Sequence, residues 1–407
     1  MAKRYSCRTY LSMALTWSVL SALMACHSKS SDNQAVFCYN ESNGITTLDP
    51  AFSRDIEVMW ATNQLFDGLV ELDSQMKIVP CIAHRWAISS DGKDYIFFLR
   101  DDVFFHPSTL FTDTTGRKVT AADFVYSFNR LLDPTLACPA SWIFSSVDRN
   151  NRGGFEAIND SVFAIHLKEP FQPFLGMLTM QYCNVVPKEV VEHFGPDFRE
   201  HPIGCGPFRF AFWYENVALV MHRNNRYWMK DGEGQQLPYL DAVKIEFAKD
   251  MSVEFQGLLQ GKYDFMSGIH TSFKDELLNQ SGELADAYKE LLKFQRTPFI
   301  KTDYLGFQMD PEAAINANSP LMDVKVRQAI SHAIDKNEMV KYLRNNTVFA
   351  AYSGFVPPML NPSNSSEYYP YDLEKARTLL AEAGYPYGKN MSEVVLSTTG
   401  DYADLME

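Results

Sequence analysis

Pro202-Ile203-Gly204-Cys205-Gly206-Pro207-Phe208 packs two prolines and two glycines into seven residues. Proline fixes φ and removes an amide donor, while glycine opens φ > 0. Neither a regular helix nor a central strand tolerates that composition. The segment reads as a stiff elbow with exposed main chain. Beyond it Phe208, Phe210 and Phe212 alternate with Arg209 and Ala211, so a strand leaves the elbow. Helix-rich and loop-rich sequence lies before it, and strand-rich sequence follows. The elbow is therefore read as the point where the chain returns from an inserted lobe to a lobe begun earlier. An ordinary surface turn is the plainer alternative.

Downstream, residues 217–222 read as a strand, and Val243, Ile245 and Phe247 alternate as another half-buried one. Ser252 is expected to cap a short helix ending at Gly261, and strands are expected at 263–266, 299–309 and 394–397. Val326, Ala329, Ile330 and Ala333 mark a helix. Asp335 caps a second and Asp372 a third, with Leu379, Leu380 and Ala383 on its buried side. Upstream, 36–39 reads as a strand and 56–66 as a helix with Gly68 as its C-cap. Ser89-Ser90-Asp91-Gly92 turns a hairpin over 86–100. Thr120 and Asp123 form a capping pattern ahead of a helix whose buried stripe is Phe124, Phe128, Leu131 and Leu132. A strand follows at 162–167 and a helix from Val186-Pro187 towards His193. The aromatic side chains Phe97, Phe98, Phe104, Phe105, Phe208, Phe210 and Phe212 read as core.

At 407 residues the chain predicts two or three domains. Lys3, Arg4 and Arg8 precede an apolar run over 11–25, too short to span a membrane comfortably, which is the pattern of a signal peptide over 1–25. Leu23-Met24-Ala25-Cys26 resembles a bacterial lipobox, with Cys26 as the lipid-bearing first residue and 26–33 as a polar tether. A plain secretory signal is the alternative. Cleavage there removes three positive charges and takes the chain from −13 to −16. Such an acidic surface repels phosphate backbones and argues against nucleic acid as a partner. Cys38, Cys81, Cys138, Cys183 and Cys205 remain, an odd number with no CxxC spacing, so neither a zinc site nor a redox motif is expected.

Several stretches, in order, resemble one family: the bacterial extracellular solute-binding proteins of family 5, the peptide- and nickel-type substrate-binding lipoproteins of ABC importers. They are Leu48-Asp49-Pro50; Phe66-Asp67-Gly68-Leu69-Val70; Asp91-Gly92 leading to Phe98-Leu99-Arg100; Val103-Phe104-Phe105-His106; and Thr120-Ala121-Ala122-Asp123-Phe124-Val125-Tyr126-Ser127 with Arg130 and Asp133-Pro134. The elbow, Gly261-Lys262-Tyr263-Asp264, and Val326-Arg327-Gln328-Ala329-Ile330 with Ile334-Asp335 complete the set. Two positions depart from the family pattern. Pro107-Ser108-Thr109 and a longer insert follow His106 where a glycine is usual, and Cys205 stands where Thr or Asn is common. The resemblance implies an α/β fold of the two-lobed periplasmic-binding-protein type II, with an extra domain inserted in the first lobe. Mapped by motif, 34–57 and 204–297 form lobe I, 58–203 the inserted domain and 298–407 a partial lobe II. Family members continue well beyond Val394, so a chain ending at Glu407 is expected to leave that lobe incomplete.

The resemblance further implies a monomer in the bacterial cell envelope, facing the periplasm or the extracellular space. It would hold to the membrane by its lipid, capture short peptides in an interlobe cleft and pass them to permease subunits. A nickel chelate, haem or an oligosaccharide is the alternative ligand. Peptide in such proteins lies extended, pairing its main chain with the protein's backbone as an added strand does. That points to Asn43, Gly44, Ile45 and Thr46, to Trp142 after Cys138-Pro139, and to Ser267, Gly268 and His270 as ligand contacts. The plainer reading makes the glycines turn residues and Trp142 core. The family's carboxylate for a peptide's amino group falls beyond Glu407, so no residue here takes that role. No GxSxG, HExxH, P-loop or dinucleotide fingerprint occurs, and no enzyme activity or cofactor is expected. Acidic pairs such as Asp101-Asp102 keep a surface glycan hydrolase as a distant alternative. His193 with His201, or His222 with His270, are the histidines that could approach a metal, but surface or core roles suit them better and no metal is expected.

Overall fold

The computed structural model describes residues 34–150, 153–297, 299–310, 312–313, 318–361 and 366–398. Cys26, the apolar leader and the tether lie outside them. The chain divides into two compact units. One runs to Glu254 and takes back Lys262–Phe265; the other comprises Phe255–Gly261 and the chain from Met266 onward.

In the first unit, β1 (Val36–Asn40) joins a four-stranded sheet with β8 (Phe208–Tyr214), β9 (Ala218–Arg223) and β10 (Ala242–Glu246), in the order β1-β10-β9-β8. The β1–β10 pair is parallel and the other two pairs are antiparallel. A bulge in β8 between Phe210 and Phe212 shifts the register, so that Phe210 faces Met221 but Phe212 faces Val220. A one-residue slip turns a side chain to the opposite face. Phe208 is therefore buried while Phe212 stands exposed, contrary to its reading as core. The expected strand at 263–266 is reduced to one bridge, Tyr39 to Phe265. Asp264 explains this. Its amide donates to the Cys38 carbonyl (2.7 Å), but its carboxylate takes the Cys38 amide (2.7 Å), substituting a side chain for the next rung of the ladder.

A second four-stranded sheet is built wholly from residues between 83 and 166. It comprises β4 (Ala83–Ile88), β5 (Asp94–Leu99), β6 (Phe155–Asn159) and β7 (Val162–His166), antiparallel in the order β4-β5-β7-β6. The helix α2 (Ala121–Leu131) packs on β6 and β7. Phe124, Ser127, Phe128 and Leu131 recur at helical spacing and are buried. Phe128 meets Phe144, Phe155 and Phe163 with ring centroids 4.8, 5.4 and 5.6 Å away. Asp123 closes the capping box by accepting the Thr120 amide (2.8 Å).

The elbow is where the two sheets' segments meet, and it differs from expectation in one respect. Its main chain is buried and bonded rather than exposed. The Gly206 amide donates to Leu65 O (2.9 Å), at the end of α1 (Ile56–Leu65). The His106 amide donates to Gly204 O (2.7 Å), and Asn224 Nδ2 donates to Gly206 O (2.9 Å). Neither elbow glycine has positive φ. They are there for close approach: a Cβ on Gly204 would lie 1.9 Å from Leu65 O, and one on Gly206 would lie 2.6 Å from Leu65 C. The helix itself ends at Phe66, whose extended φ/ψ makes it the C-cap in place of Gly68.

Asp67 follows directly. It is buried, with Trp228 Nε1 donating at 3.0 Å and Tyr227 Oη at 3.4 Å. Both donors are neutral. The Arg100 guanidinium lies over the Trp228 ring (4.1 Å) and donates Nε to Cys81 O (2.8 Å). Burial pushes the Asp67 carboxyl up to about 7. On the elbow's other side, His106 Nε2 donates to Gly206 O (3.0 Å), and burial holds the imidazole down to about 4.

In the second unit the helices α5 (Val324–Ala333) and α6 (Leu373–Glu382) pack together; Asp372 caps α6 as its sequence predicts, and Asp323 caps α5. His332 Nδ1 donates to Pro370 O (2.7 Å) and the Asp372 amide to His332 O (2.9 Å). The helix α4 (Met251–Leu259) spans the division between units. Ser252 lies inside it, and Asp250 supplies the capping oxygen to the Ser252 amide (2.8 Å). Residues 299–309 and 394–397 form no strand. A strand needs a neighbour for its backbone groups, and no described residue of this unit supplies a ladder to either segment. Phe299, Leu305, Val395 and Leu396 are exposed. Ala376 is the buried residue of α6, with Leu379, Leu380 and Ala383 half-buried.

Candidate functional site

The candidate loop leaves β1 at Asn40 and reaches the 3-10 turn Pro50–Phe52. Its base on the strand side is fixed. The Glu41 amide donates to Glu246 O (2.8 Å), the Gly44 amide to Glu41 O (3.0 Å) and Asn43 Nδ2 to Glu57 Oε1 (2.8 Å). Gly44 turns at φ +72° with open space where a Cβ would point, so here the glycine does serve φ > 0. Ile45 then buries its side chain, 8 % exposed, which turns Thr46 outward. The far side is fixed as well. The Leu48 amide donates to Arg199 O (3.0 Å), and Arg199 Nη1 reaches Thr46 O at 3.4 Å. Between these pins the amides of Ile45 and Thr46 have no hydrogen-bond partner among the described residues. A rigid segment with unpaired donors can take an extended main chain alongside it.

The loop is acidic at its start. Burial, then the Glu57 and Glu254 carboxylates, push Glu41 up to about 7. Glu254 is buried and accepts Asn40 Nδ2 (3.2 Å).

Trp142 sits on the turn Ser141–Phe144 and is 54 % exposed, while Ile143 and Phe144 are buried. The structure thus turns it out to solvent and does not use it as core. Cys138 Sγ, four residues earlier, donates to Ala51 O (3.1 Å), tying that turn to the chain just past the candidate loop. Ser267, Gly268 and His270 belong to the second unit and are exposed there, with Gly268 at φ +76°. His270 is already engaged locally, since its Nδ1 accepts the Ser272 amide (3.2 Å) and caps a short turn. The same unit holds a cavity of about 340 Å³ bordered by Gln328, His332, Glu367, Tyr369 and Lys375, none of them a residue singled out in the sequence as a ligand contact.

No group of three or more His, Cys, Asp or Glu among the described residues could hold a metal ion. His193 and His201 are engaged with Phe194, at ring distances of 4.8 and 4.2 Å. The five described cysteines are all free thiols, and burial raises each. No described helix is long and apolar enough to cross a membrane.

Sequence reasoning missed the pair that braces the loop from behind. Arg130 donates Nη1 to Asp49 Oδ1 (2.9 Å) and Nη2 to Asp49 Oδ2 (2.5 Å), with the two side chains 11 % and 5 % exposed. Both residues stand out as motif members, but nothing in a linear sequence joins positions 81 apart.

Comparison with known proteins agrees with this architecture. The family model "Bacterial extracellular solute-binding proteins, family 5 Middle" matches residues 77–407. The glutathione-binding protein GsiB of Pectobacterium atrosepticum is 28 % identical over 350 residues, 84 % of this chain and 60 % of GsiB. The chain thus spans about three-fifths of the length of the curated relatives it matches. The periplasmic binding protein DppA of Helicobacter pylori, in complex with the peptide STSA, superposes with a TM-score of 0.67 at 25 % identity, over 86 % of this chain and 66 % of that one. NikZ of Campylobacter jejuni, in complex with Ni(L-His), gives 0.67 at 26 % identity, over 88 % and 64 %.

Proposed function

The chain belongs to the bacterial extracellular solute-binding proteins of family 5, and from that premise we propose that it captures short peptides and hands them to the permease of an ABC importer. The observation that carries the peptide choice is the pinned loop at Asn43–Thr46, whose Ile45 and Thr46 amides are open to pairing with an extended ligand backbone. The exposed indole of Trp142 is a companion contact. Ser267, Gly268 and His270 are the contacts proposed from the other unit. Glutathione and the peptide STSA are what two relatives bind, which supports the same ligand class.

In this reading the protein binds and does not hydrolyse, acts as a monomer and is held to the cell envelope by a lipid on Cys26. Lobe I is 34–57 with 204–297, interrupted by a domain over 58–203. Two facts support that division: one four-stranded sheet draws strands from both flanks, and the other four-stranded sheet is confined to 83–166. Family 5 lobes of this kind close on ligand by hinge motion.

Titration calorimetry against a pool of di- to pentapeptides tests the proposal. Binding heats are expected, with every peptide recovered intact by mass spectrometry. Heats with Ni–histidine and none with any peptide would overturn the ligand class and leave the transport role standing.

A further inference from the structure

The Asp49–Arg130 pair is more elaborate than a structural tie needs to be. Every polar group of Asp49 is committed. Its amide donates to Thr47 Oγ1 (3.0 Å) and its carbonyl accepts the Phe52 amide (3.1 Å). Oδ1 accepts both Arg130 Nη1 (2.9 Å) and the Ala51 amide (3.0 Å), and Oδ2 accepts Arg130 Nη2 (2.5 Å). Thr47 and Leu48, the two residues between Asp49 and the open amides, are buried, with Leu48 at 0 % exposure. The guanidinium comes from the last turn of α2, 5.7 Å from the Phe198 ring, and α2 is seated on its own sheet by the Phe124 and Phe128 contacts. A rigid helix therefore reaches a rigid turn, and Thr46 lies only three residues before Asp49 in the chain.

We propose that Arg130 is a positioning residue for ligand capture: by its two-point grip on Asp49 it fixes the backbone of residues 43–48 so that the Ile45 and Thr46 amides are presented to a peptide main chain. This rests on the peptide reading given above. The fork geometry matters here. Arginine meets a carboxylate with two parallel N–H donors and fixes its orientation, whereas lysine supplies a point charge on a flexible stem. Arg130→Lys keeps the charge and loses the orientation. A second arginine, just ahead of the same helix, provides the control. Arg117 grips Asp123 (2.6 Å) and Glu189 (2.7 Å), and its remaining hydrogen bond goes to Lys118 O (3.1 Å), away from residues 43–48.

The experiment compares wild type, Arg130→Lys, Asp49→Asn and Arg117→Lys by peptide calorimetry and by hydrogen exchange resolved to 43–48. Arg130→Lys and Asp49→Asn should each weaken peptide binding by about tenfold, the worth of one charge-assisted hydrogen bond. Both should speed exchange at the hydrogen-bonded Gly44 and Leu48 amides that hold the two ends of the loop. Arg117→Lys should do neither, even where its melting temperature falls as far. Equal loss of affinity in Arg117→Lys would show that general stability is responsible and overturn the assignment. So would unchanged exchange at 43–48 in both Arg130→Lys and Asp49→Asn. That readout needs no ligand, so it decides the positioning role even if wild type binds no peptide, a result that would strike the peptide reading alone. Should Arg130→Lys fail to fold, the isosteric Asp49→Asn carries the same test.

Discussion

Replacing Asp67 by asparagine should stabilise the protein at neutral pH and change it little at pH 4. The carboxyl is enclosed at the elbow with the Trp228 indole and the Tyr227 hydroxyl as its donors, and burial raises it from 3.8 to about 7. An unfolded chain releases that proton near 3.8, whereas the fold holds it to about 7. Below pH 4 both states are protonated and the group contributes its full stability. As pH rises through this window the unfolded state alone gains from ionisation, and stability falls. Each tenfold difference in proton affinity between the two states is worth about 1.4 kcal/mol, so a difference of about a thousandfold costs on the order of 4 kcal/mol by pH 8. Asparagine fits the same space, can accept from Trp228 Nε1 and does not titrate. The advantage of Asp67→Asn over wild type should therefore grow from near zero at pH 4 to a few kcal/mol at pH 8. Urea unfolding followed by tryptophan fluorescence at several pH values measures it. Taking the difference between the two proteins cancels His106, whose depressed value makes both lose stability as pH falls from 6.5 towards 4. A difference that stays constant with pH, or an advantage that appears only in acid, would refute the uncompensated carboxylate.

Three other substitutions test packing, backbone conformation and anchoring. Gly204→Ala places a methyl 1.9 Å from Leu65 O, against backbone, and should cost about 3 kcal/mol or more, since overpacking of this kind cannot relax. Gly44→Ala meets open space but keeps φ +72°, and should cost only about 1 kcal/mol; urea midpoints that reverse this order would show that the elbow yields more readily than its contacts suggest. Cys26→Ser should move the protein from the membrane to the soluble fraction, because stable anchoring depends on the acyl chains a modified cysteine carries. Retention on membranes equal to the parent's would end the lipobox reading.

How much is legible in the chain alone depends on the range of the interaction concerned. The Thr120–Asp123 box, the Asp335 and Asp372 caps and the hairpin at Ser89–Gly92 each depend on groups within four residues of one another, and each appears where the sequence places it. The ordered motifs carry the fold for the same reason: each marks a local turn or cap, and together they mark the order in which turns and caps occur. What stays hidden needs two distant segments at once. A glycine licenses either positive φ or close contact, and sequence cannot say which; Gly44 takes the first use and Gly204 the second. Strand alternation at 299–309 and 394–397 describes a face, but a ladder also needs a neighbour, and no described residue of that unit provides one. Phe212 alternates correctly and still faces outward, because one bulge opposite Val220 resets the register. The candidate loop divides along the same line. Its glycine and its exposed backbone could be read from Asn43 to Thr46, yet the groups that hold it rigid, Glu57, Arg199 and the Arg130–Asp49 fork, come from as far as 153 residues away. A loop of this composition would be flexible alone. The binding edge proposed for it depends on those distant pins.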